Sequence, residues 1–435
     1  MEVALINPDT EGTRYKGWLK KIFLLSRSTF PALAAYTPEF ANLTVFDETV
    51  EEIDFGKHFD LAGITVQTSA APRAYEISDI LRQKGTRVIL GGTHVSHLPD
   101  EAMQHADAIA LYNGETTWPA AIIDLEASGG IKPMYNGASF DYLNRRLPRR
   151  DVLKGKALQV YQTIETSRGC PYDCNFCTIP GMYDKKVMQF SVDSVIQDIK
   201  NLPDKYIFFS DDNFMGNPKH ADAIFQKMID EGLRKTWLTQ TTVWIASDRE
   251  RPKLAAKSGC IAVYIGFESV ANEGDNYKKN NVVFESGLIG NRQERYREVI
   301  KRLHDAGIGV EGGFIFGLDT DGPDIFEKTL DFVQSSEMDT VSFHILTPYP
   351  GTALYNEMKA SSRILHENWE KYNTRNVVFQ PRKMTPEQLQ EGYNLAWREA
   401  YTLKNITQRS MNSNHPLYAW LYNFIGKANK QTPFE

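Results

Sequence analysis

The stretch Glu165–Gly181 reads ETSRGCPYDCNFCTIPG and holds Cys170, Cys174 and Cys177, three of the chain's four cysteines. The gaps are three residues and then two, so this is neither a lone C-x-x-C pair nor a four-cysteine cage. A structural zinc site takes four ligands, usually as two pairs. No second pair exists, and His220 and Cys260 do not fall in one. A thioredoxin-like dithiol would use only two of the three sulfurs. A four-iron cluster takes one ligand per iron, usually a thiolate. Three thiolates would hold three irons and leave the fourth open, as a catalytic metal requires.

Around this stretch the chain alternates strand and helix. Strands are predicted at Leu158–Thr166, Tyr206–Asp212, Trp237–Trp244, Cys260–Ser269, Val310–Gly317 and Thr340–Pro348, with amphipathic helical patterns between them, several ending in glycine. Six strand–helix repeats predict a barrel or part of one, with catalytic residues at the carboxyl ends of the strands. The cysteine loop follows the first strand of this series. Cys260, just after Gly259, reads as a buried core thiol.

The first 120 residues show a second alternation. Val3–Pro8, Leu43–Glu48, Leu61–Thr68, Arg87–Ser96 and Ala108–Glu115 are short, nearly continuous apolar runs, the pattern of a parallel sheet covered on both faces. PRAYEISDILRQKG puts Ala74, Ile77, Ile80 and Leu81 on one helical face and completes a βαβ unit. Ligands of such sheets lie beyond the strands' carboxyl ends. That rim is Asn7–Pro8, Gln67–Thr68–Ser69, Gly91–Gly92–Thr93–His94 and Asn113–Gly114–Glu115. Residues 127–155, rich in Gly, Pro and charge, read as a linker. After Pro350 the chain is mainly helical, and the aromatic HPLYAWLYNFIGKAN (His415–Asn429) reads as core packing or a lid, with contact to a lipid surface as the minor alternative.

Composition limits the class. The net charge of −6 with no Lys/Arg run argues against nucleic acid as a partner. Four cysteines make no disulfide framework, and the N-terminus lacks a basic stretch followed by an apolar core, so a reducing cytoplasm is expected.

C-x-x-x-C-x-aromatic-C, with Phe176 before the third cysteine, on a loop after the first strand of a six-strand β/α series, resembles the radical S-adenosylmethionine (radical SAM) superfamily. The resemblance covers about Leu158 to Pro348. It implies a [4Fe-4S] cluster on Cys170, Cys174 and Cys177, whose open iron chelates the amino and carboxylate groups of SAM. One electron then cleaves SAM to a 5′-deoxyadenosyl radical that abstracts hydrogen from an unactivated carbon. SDDNF stands where many members carry a Gly-Gly-Glu motif, so Ser210, Asp211, Asp212 and Asn213 are expected near the SAM ammonium. Gln240, Thr242 and Glu268 resemble ribose- and methionine-contacting positions, and Gly312 and Gly313 would let SAM pass close to the backbone.

With the first 130 residues included, the chain resembles the cobalamin (B12)-binding-domain radical SAM class. This implies an α/β protein: a Rossmann-like cobalamin-binding-type domain (1–130), a linker (131–155), a partial (β/α)6 TIM barrel (156–350) and a helical C-terminal region (351–435). It also implies cobalamin near Thr68, Ser69, Gly91, Gly92, Thr93, His94, Gly114 and Glu115, without the D-x-H-x-x-G motif whose histidine ligates cobalt in mutases. The expected reaction is C-methylation of a small-molecule biosynthetic intermediate, with an electron donor such as flavodoxin or ferredoxin. Radical cyclisation, rearrangement or dehydration is the alternative, and a non-catalytic iron–sulfur scaffold the third. The barrel mouth is expected to include Tyr183, Trp244, His344 and Tyr349.

Overall fold

The computed structural model describes residues 1–10, 28–156, 160–271 and 291–428. The chain divides into two compact units. One comprises Met1–Thr163 with Tyr349–Thr352 and Glu367–Asn373; the other comprises Ile164–Pro348, Ala353–His366 and Thr374–Glu435.

The first unit is built on six strands: β1 (Glu2–Asn7), β2 (Asn42–Asp47), β3 (Leu61–Thr65), β4 (Arg87–Gly91), β5 (Ala108–Leu111) and β6 (Met134–Asn136). They pair in the order β2-β1-β3-β4-β5-β6, all parallel. Val3, Ala4, Leu5 and Ile6 are all buried, as expected for a sheet covered on both faces. The strand order reverses between β1 and β3, so the crevice for a ligand opens at their carboxyl ends. Gly63 of β3 has no side chain because a Cβ there would lie 2.9 Å from the Trp118 ring and 3.0 Å from Leu5. Trp118, on the helix Gly114–Ser128, thereby reaches the sheet and donates its indole N–H to Thr37 Oγ1 at 2.9 Å. That helix stops at Gly129, in the left-handed region at φ 71°, whose N–H closes on Leu125 O. β6 falls inside the stretch expected to be linker, so those residues extend the sheet instead of only joining domains.

The second unit carries β7 (Gln162–Ile164), β8 (Tyr206–Phe209), β9 (Thr236–Thr241), β10 (Cys260–Glu268), β11 (Gly309–Phe316) and β12 (Thr340–Ile345), neighbours in sequence order. The pairs from β8 to β12 are parallel. β7 is shorter than the predicted strand, part of which, at Leu158–Gln159, lies outside the described residues. Helices Val192–Lys200, Pro218–Asp230, Glu250–Lys257, Arg292–Asp305 and Ile325–Ser335 fill the predicted intervals. Two helices begin with reciprocal capping: Asn291 with Glu294, and Thr385 with Gln388.

Alternation along these strands gives the sheet two characters. On one face Trp237, Val263, Phe267, Val310, Phe314 and Phe343 are buried. This face meets the helices: Phe267 packs on Tyr296 at 4.5 Å between ring centres and Phe314 on Phe332 at 6.2 Å. On the opposite face Gln240, Tyr264, Glu311, Ile315 and His344 are only half-buried. Gln240, Tyr264 and Glu311 are direct register neighbours across three strands.

Candidate active site

The cysteine loop leaves β7 through a short antiparallel pairing of Ser167–Arg168 with Met188–Gln189. Its hinge is held by the acidic pair that follows β8. Asp211 Oδ1 accepts from Thr166 N (3.0 Å), Thr166 Oγ1 (3.0 Å), Ser167 Oγ (2.9 Å) and Ser167 N. Asp212 Oδ2 accepts from Gly169 N at 2.7 Å. Gly169 must be glycine: its φ is +86° and a Cβ would meet Lys186 O at 2.2 Å. Asn213 accepts from Met215 N through Oδ1 and directs Nδ2 at Cys170 Sγ, 3.6 Å away. His220 braces the same hinge through Thr166 O at 3.2 Å and takes no part in a zinc-like group.

Cys170, Cys174 and Cys177 are half-buried and joined in no disulfide. Burial pushes the Cys177 thiol up to about 11; a backbone hydrogen bond from Ile179 opposes this, and negative charge on Cys170, Asp212 and Glu268 adds to it. A desolvated thiol among anionic neighbours is a group that a cationic centre would stabilise. Among the described residues no three His, Cys, Asp or Glu side chains converge on one metal-ion position. Three thiols on one loop are a donor set that suits a body with several metals, in which each thiolate meets its own iron. Phe176 is half-buried within the loop. Cys260 is buried, its thiol raised well above its ordinary value by burial, with Sγ turned to Ala262 O.

Burial lifts the Asp211 carboxyl to about 7, against the donors of Ser167 and Thr166. Burial also raises Asp212, against the N–H of Gly169. Asp211 Oδ2 is buried without a partner. Both carboxylates, expected near a ligand ammonium, are thus engaged with the loop's backbone. Gln240 Nε2 donates to Asp211 O at 2.9 Å, and Ser210 binds back to Ile164 O through its N–H.

Glu268 sits at φ +63°, where the β10–β11 register shifts. A non-glycine residue held there is strained, a condition that persists only where surrounding structure enforces it. The bulge swings its carboxylate over Gly266, whose absent Cβ would lie 2.4 Å from Oε1. Gly312 and Gly313 do not leave open backbone for a ligand. A Cβ on Gly312 would meet Met338 Sδ at 2.8 Å, and one on Gly313 would meet the Tyr264 hydroxyl at 2.0 Å. They make room for the chain's own side chains. The Tyr264 hydroxyl lies 3.4 Å from His344 Nε2, and His344 Nδ1 lies 3.2 Å from Thr374 Oγ1. Trp244 Nε1 and Thr242 Oγ1 are buried without partners. Tyr183 ends the helical turn Ile179–Tyr183 in the cysteine loop. Tyr349 groups with the first unit, and burial raises its hydroxyl to about 12.

On the rim of the first sheet, Ser69, Gly91, Gly92, Thr93 and Gly114 are half-buried, and Thr68 and Glu115 are buried. Gly92, at φ +111°, allows the backbone of Val66 within 2.8 Å of where a Cβ would sit. His94 is a correction to the expected rim contact: its imidazole is fully buried and its Nε2 lies 3.1 Å from Glu101 Oε1. Glu101 also accepts from Tyr75 and Trp369, and these bonds hold its carboxyl below the usual range although burial opposes them. His94 can serve the rim only through its backbone.

Sequence reasoning missed Tyr264 and Glu311. Both fall in runs that read as apolar strand, and only the register places them beside Gln240.

Comparison with known proteins agrees with this architecture. The radical SAM superfamily model matches residues 164–333. Two curated relatives come from Chlorobaculum tepidum. The chain is 31% identical to its bacteriochlorophyllide d C-12(1)-methyltransferase, over 90% of this chain and 86% of the relative. It is 29% identical to its bacteriochlorophyllide d C-8(2)-methyltransferase, over 87% and 86%. In fold it is similar to the radical SAM methyltransferase TsrM of Kitasatospora setae, solved with cobalamin and a [4Fe-4S] cluster bound. The TM-score is 0.70 at 15% identity, over 99% of both chains. A relative matched above 30% identity along most of its length, together with a cysteine loop on a six-stranded β/α unit and a separate parallel-sheet unit, settles the kinship: the chain belongs to the radical SAM superfamily, among its methyltransferases.

Proposed function

We propose that this protein transfers a methyl group to an unactivated carbon of an apolar, ring-bearing biosynthetic intermediate, with a tetrapyrrole as the favoured substrate class. The observation that carries the reading is the cysteine loop latched by Asp211 and Asp212 at the strand ends of a sheet whose second face mixes the half-buried Tyr264 and Ile315 with Gln240, Glu311 and His344. Such a mixture suits a large apolar ring system with a few polar handles. The bacteriochlorophyllide methyltransferases supply the substrate class by likeness.

When bound, the cluster and SAM supply a hydrogen-abstracting radical, and cobalamin supplies the methyl group. Cys170, Cys174 and Cys177 would hold the cluster, and Asn213 would donate to the sulfur of Cys170. Asp211 and Asp212 position the loop. Glu268, Gln240 and Ser210 would hold SAM, Glu268 offering a carboxylate to its ammonium. Thr68, Ser69, Gly91, Gly92, Thr93 and Gly114 would form the cobalamin rim, with His94 withheld from cobalt by Glu101. Residues 1–130, extended by β6, would form the cobalamin-binding domain, the rest of 131–155 a linker, 156–350 the barrel and 351–435 the mainly helical region. A reducing cytoplasm with a flavodoxin or ferredoxin as electron donor completes the reading. Its support is that four cysteines are too few for a disulfide framework.

The test is anaerobic reconstitution with SAM, reductant, cobalamin and a tetrapyrrole. S-adenosylhomocysteine, 5′-deoxyadenosine and a product one methyl group heavier are expected together. 5′-Deoxyadenosine with a rearranged, cyclised or dehydrated product would overturn methylation. Absence of both nucleoside products would overturn the enzyme reading.

A further inference from the structure

The helix Pro416–Ala428 is turned inside out relative to an ordinary surface helix. Its inward side holds Ala419 and the polar Asn423, which is fully buried. Asn423 Nδ2 donates to Asp339 O at 2.8 Å, and its Oδ1 accepts from Arg409 at 2.9 Å. The preceding turn is tied down as well: His415 Nε2 lies 2.8 Å from Gly307 O, and Asn414 donates to His304 O. The helix is therefore anchored to the barrel unit through polar contacts. Its apolar side faces out: Leu417, Trp420, Leu421 and Phe424 follow the i, i+3, i+4, i+7 pattern and are 81%, 45%, 48% and 44% exposed. A stripe at that spacing normally faces the core. Trp420 and Phe424 stack at 5.1 Å, so the exposed stripe is an organised surface. The preceding helix, Leu403–Asn412, adds Leu403 and Met411, 62% and 76% exposed.

The charge around this stripe selects its partner. From Ala400 to Phe434 the chain has no Asp or Glu, whereas Lys404, Arg409, Lys427 and Lys430 lie in it, in a protein of net charge −6. Within the described residues, Lys404 is exposed and Lys427 half-buried. A second copy of this chain would be a poor match. A two-fold interface brings the same patch together twice, and cationic flanks would face each other with no carboxylate in residues 400–434 to pair them. At 13 residues the helix spans about 20 Å, too short for the ~30 Å hydrocarbon core of a bilayer. An apolar aromatic stripe, cationic flanks and this length describe a helix that lies in a lipid interface.

We propose that Leu417, Trp420, Leu421 and Phe424 seat the protein on an anionic lipid surface, with Lys404 and Lys427 meeting the headgroups. The inference stands apart from the methylation reading: it rests on a face outside the proposed catalytic machinery. It is tested by floating the full chain with vesicles of phosphatidylcholine containing about one-third phosphatidylglycerol. Binding is expected to that mixture and to fall steeply on pure phosphatidylcholine, by about fivefold for each basic side chain engaged. L417E/L421E is expected to abolish flotation with an unchanged thermal melt, since both side chains already face solvent. K404E/K427E is expected to weaken binding to the anionic vesicles alone. Failure of the full chain to float would overturn the proposal. So would unchanged binding by L417E/L421E, or a dimer in light scattering that the same double substitution dissociates.

Discussion

Replacing Asp211 with alanine tests the latch that holds the cysteine loop. Its Oδ1 is the acceptor for the N–H groups of Thr166 and Ser167, residues only 1% and 4% exposed. Each buried N–H left without a partner costs about 1–3 kcal/mol, so the two together cost about 2–6 kcal/mol. Against this stands the price of burying the carboxylate. Its pKa rises from an ordinary 3.8 to about 7, so between those values the folded chain holds a proton that the unfolded chain has released. Wild-type stability therefore falls as pH rises through that window, by about 2 kcal/mol from pH 5 to 7, and levels off about one pH unit above it. Alanine has no such slope. The substitution should thus destabilise the cluster-free chain most at pH 5 and least at pH 8. Urea denaturation at the two pH values measures this. Iron and sulfide content after anaerobic reconstitution measures the loop, and about half or more of the cluster should be lost. A cost that is flat or grows with pH would refute the linkage, and a full iron complement with an unchanged cluster spectrum would refute the latch.

Three further outcomes are expected. Alanine at Cys170, Cys174 or Cys177 should abolish both iron uptake and SAM cleavage, whereas alanine at the buried Cys260 should leave both intact; elemental analysis and nucleoside chromatography separate them. Glu268→Gly should stabilise the fold by about 1 kcal/mol by relieving the positive φ while weakening SAM binding about tenfold or more, read by thermal melts and equilibrium dialysis. Burial lowers the His220 pKa from 6.5, opposed by its bond to Thr166. The unfolded chain then takes up a proton that the folded chain refuses, so stability falls as pH drops below 6.5, and His220→Gln should flatten that acid limb in denaturant titrations.

Most of the strands were legible because parallel strands buried on both faces are short apolar runs. β6 was not, because three residues beside Gly137 in a Gly- and Pro-bearing stretch carry no periodicity to read. The cysteine loop was legible from spacing alone, but its latch was not: Asp211 meets Thr166 across 45 residues, and no local pattern encodes that pairing. His94 failed as a rim residue for a related reason. A histidine after two glycines looks like a ligand contact until the Tyr75–Glu101–Trp369 network claims its ring. Tyr264 and Glu311 escaped because CIAVYIGFES and VEGGFIFG read as apolar runs, and alternation matters only once one face is known not to meet the helices.

That alternation separates two kinds of evolutionary freedom by a single residue. Val263, Ile265 and Phe267 are locked into the helix-covered face, where each change alters close packing. Tyr264, between the first two, is half-buried on the other face, as are Gln240, Glu311 and His344 on neighbouring strands. Substitutions there exchange polar handles without opening cavities in the core. A lineage built on this sheet can therefore drift from one ring system to another through inner-face positions while its thermal stability stays nearly constant. The barrel's descendants should differ most in what they hold and least in how they fold.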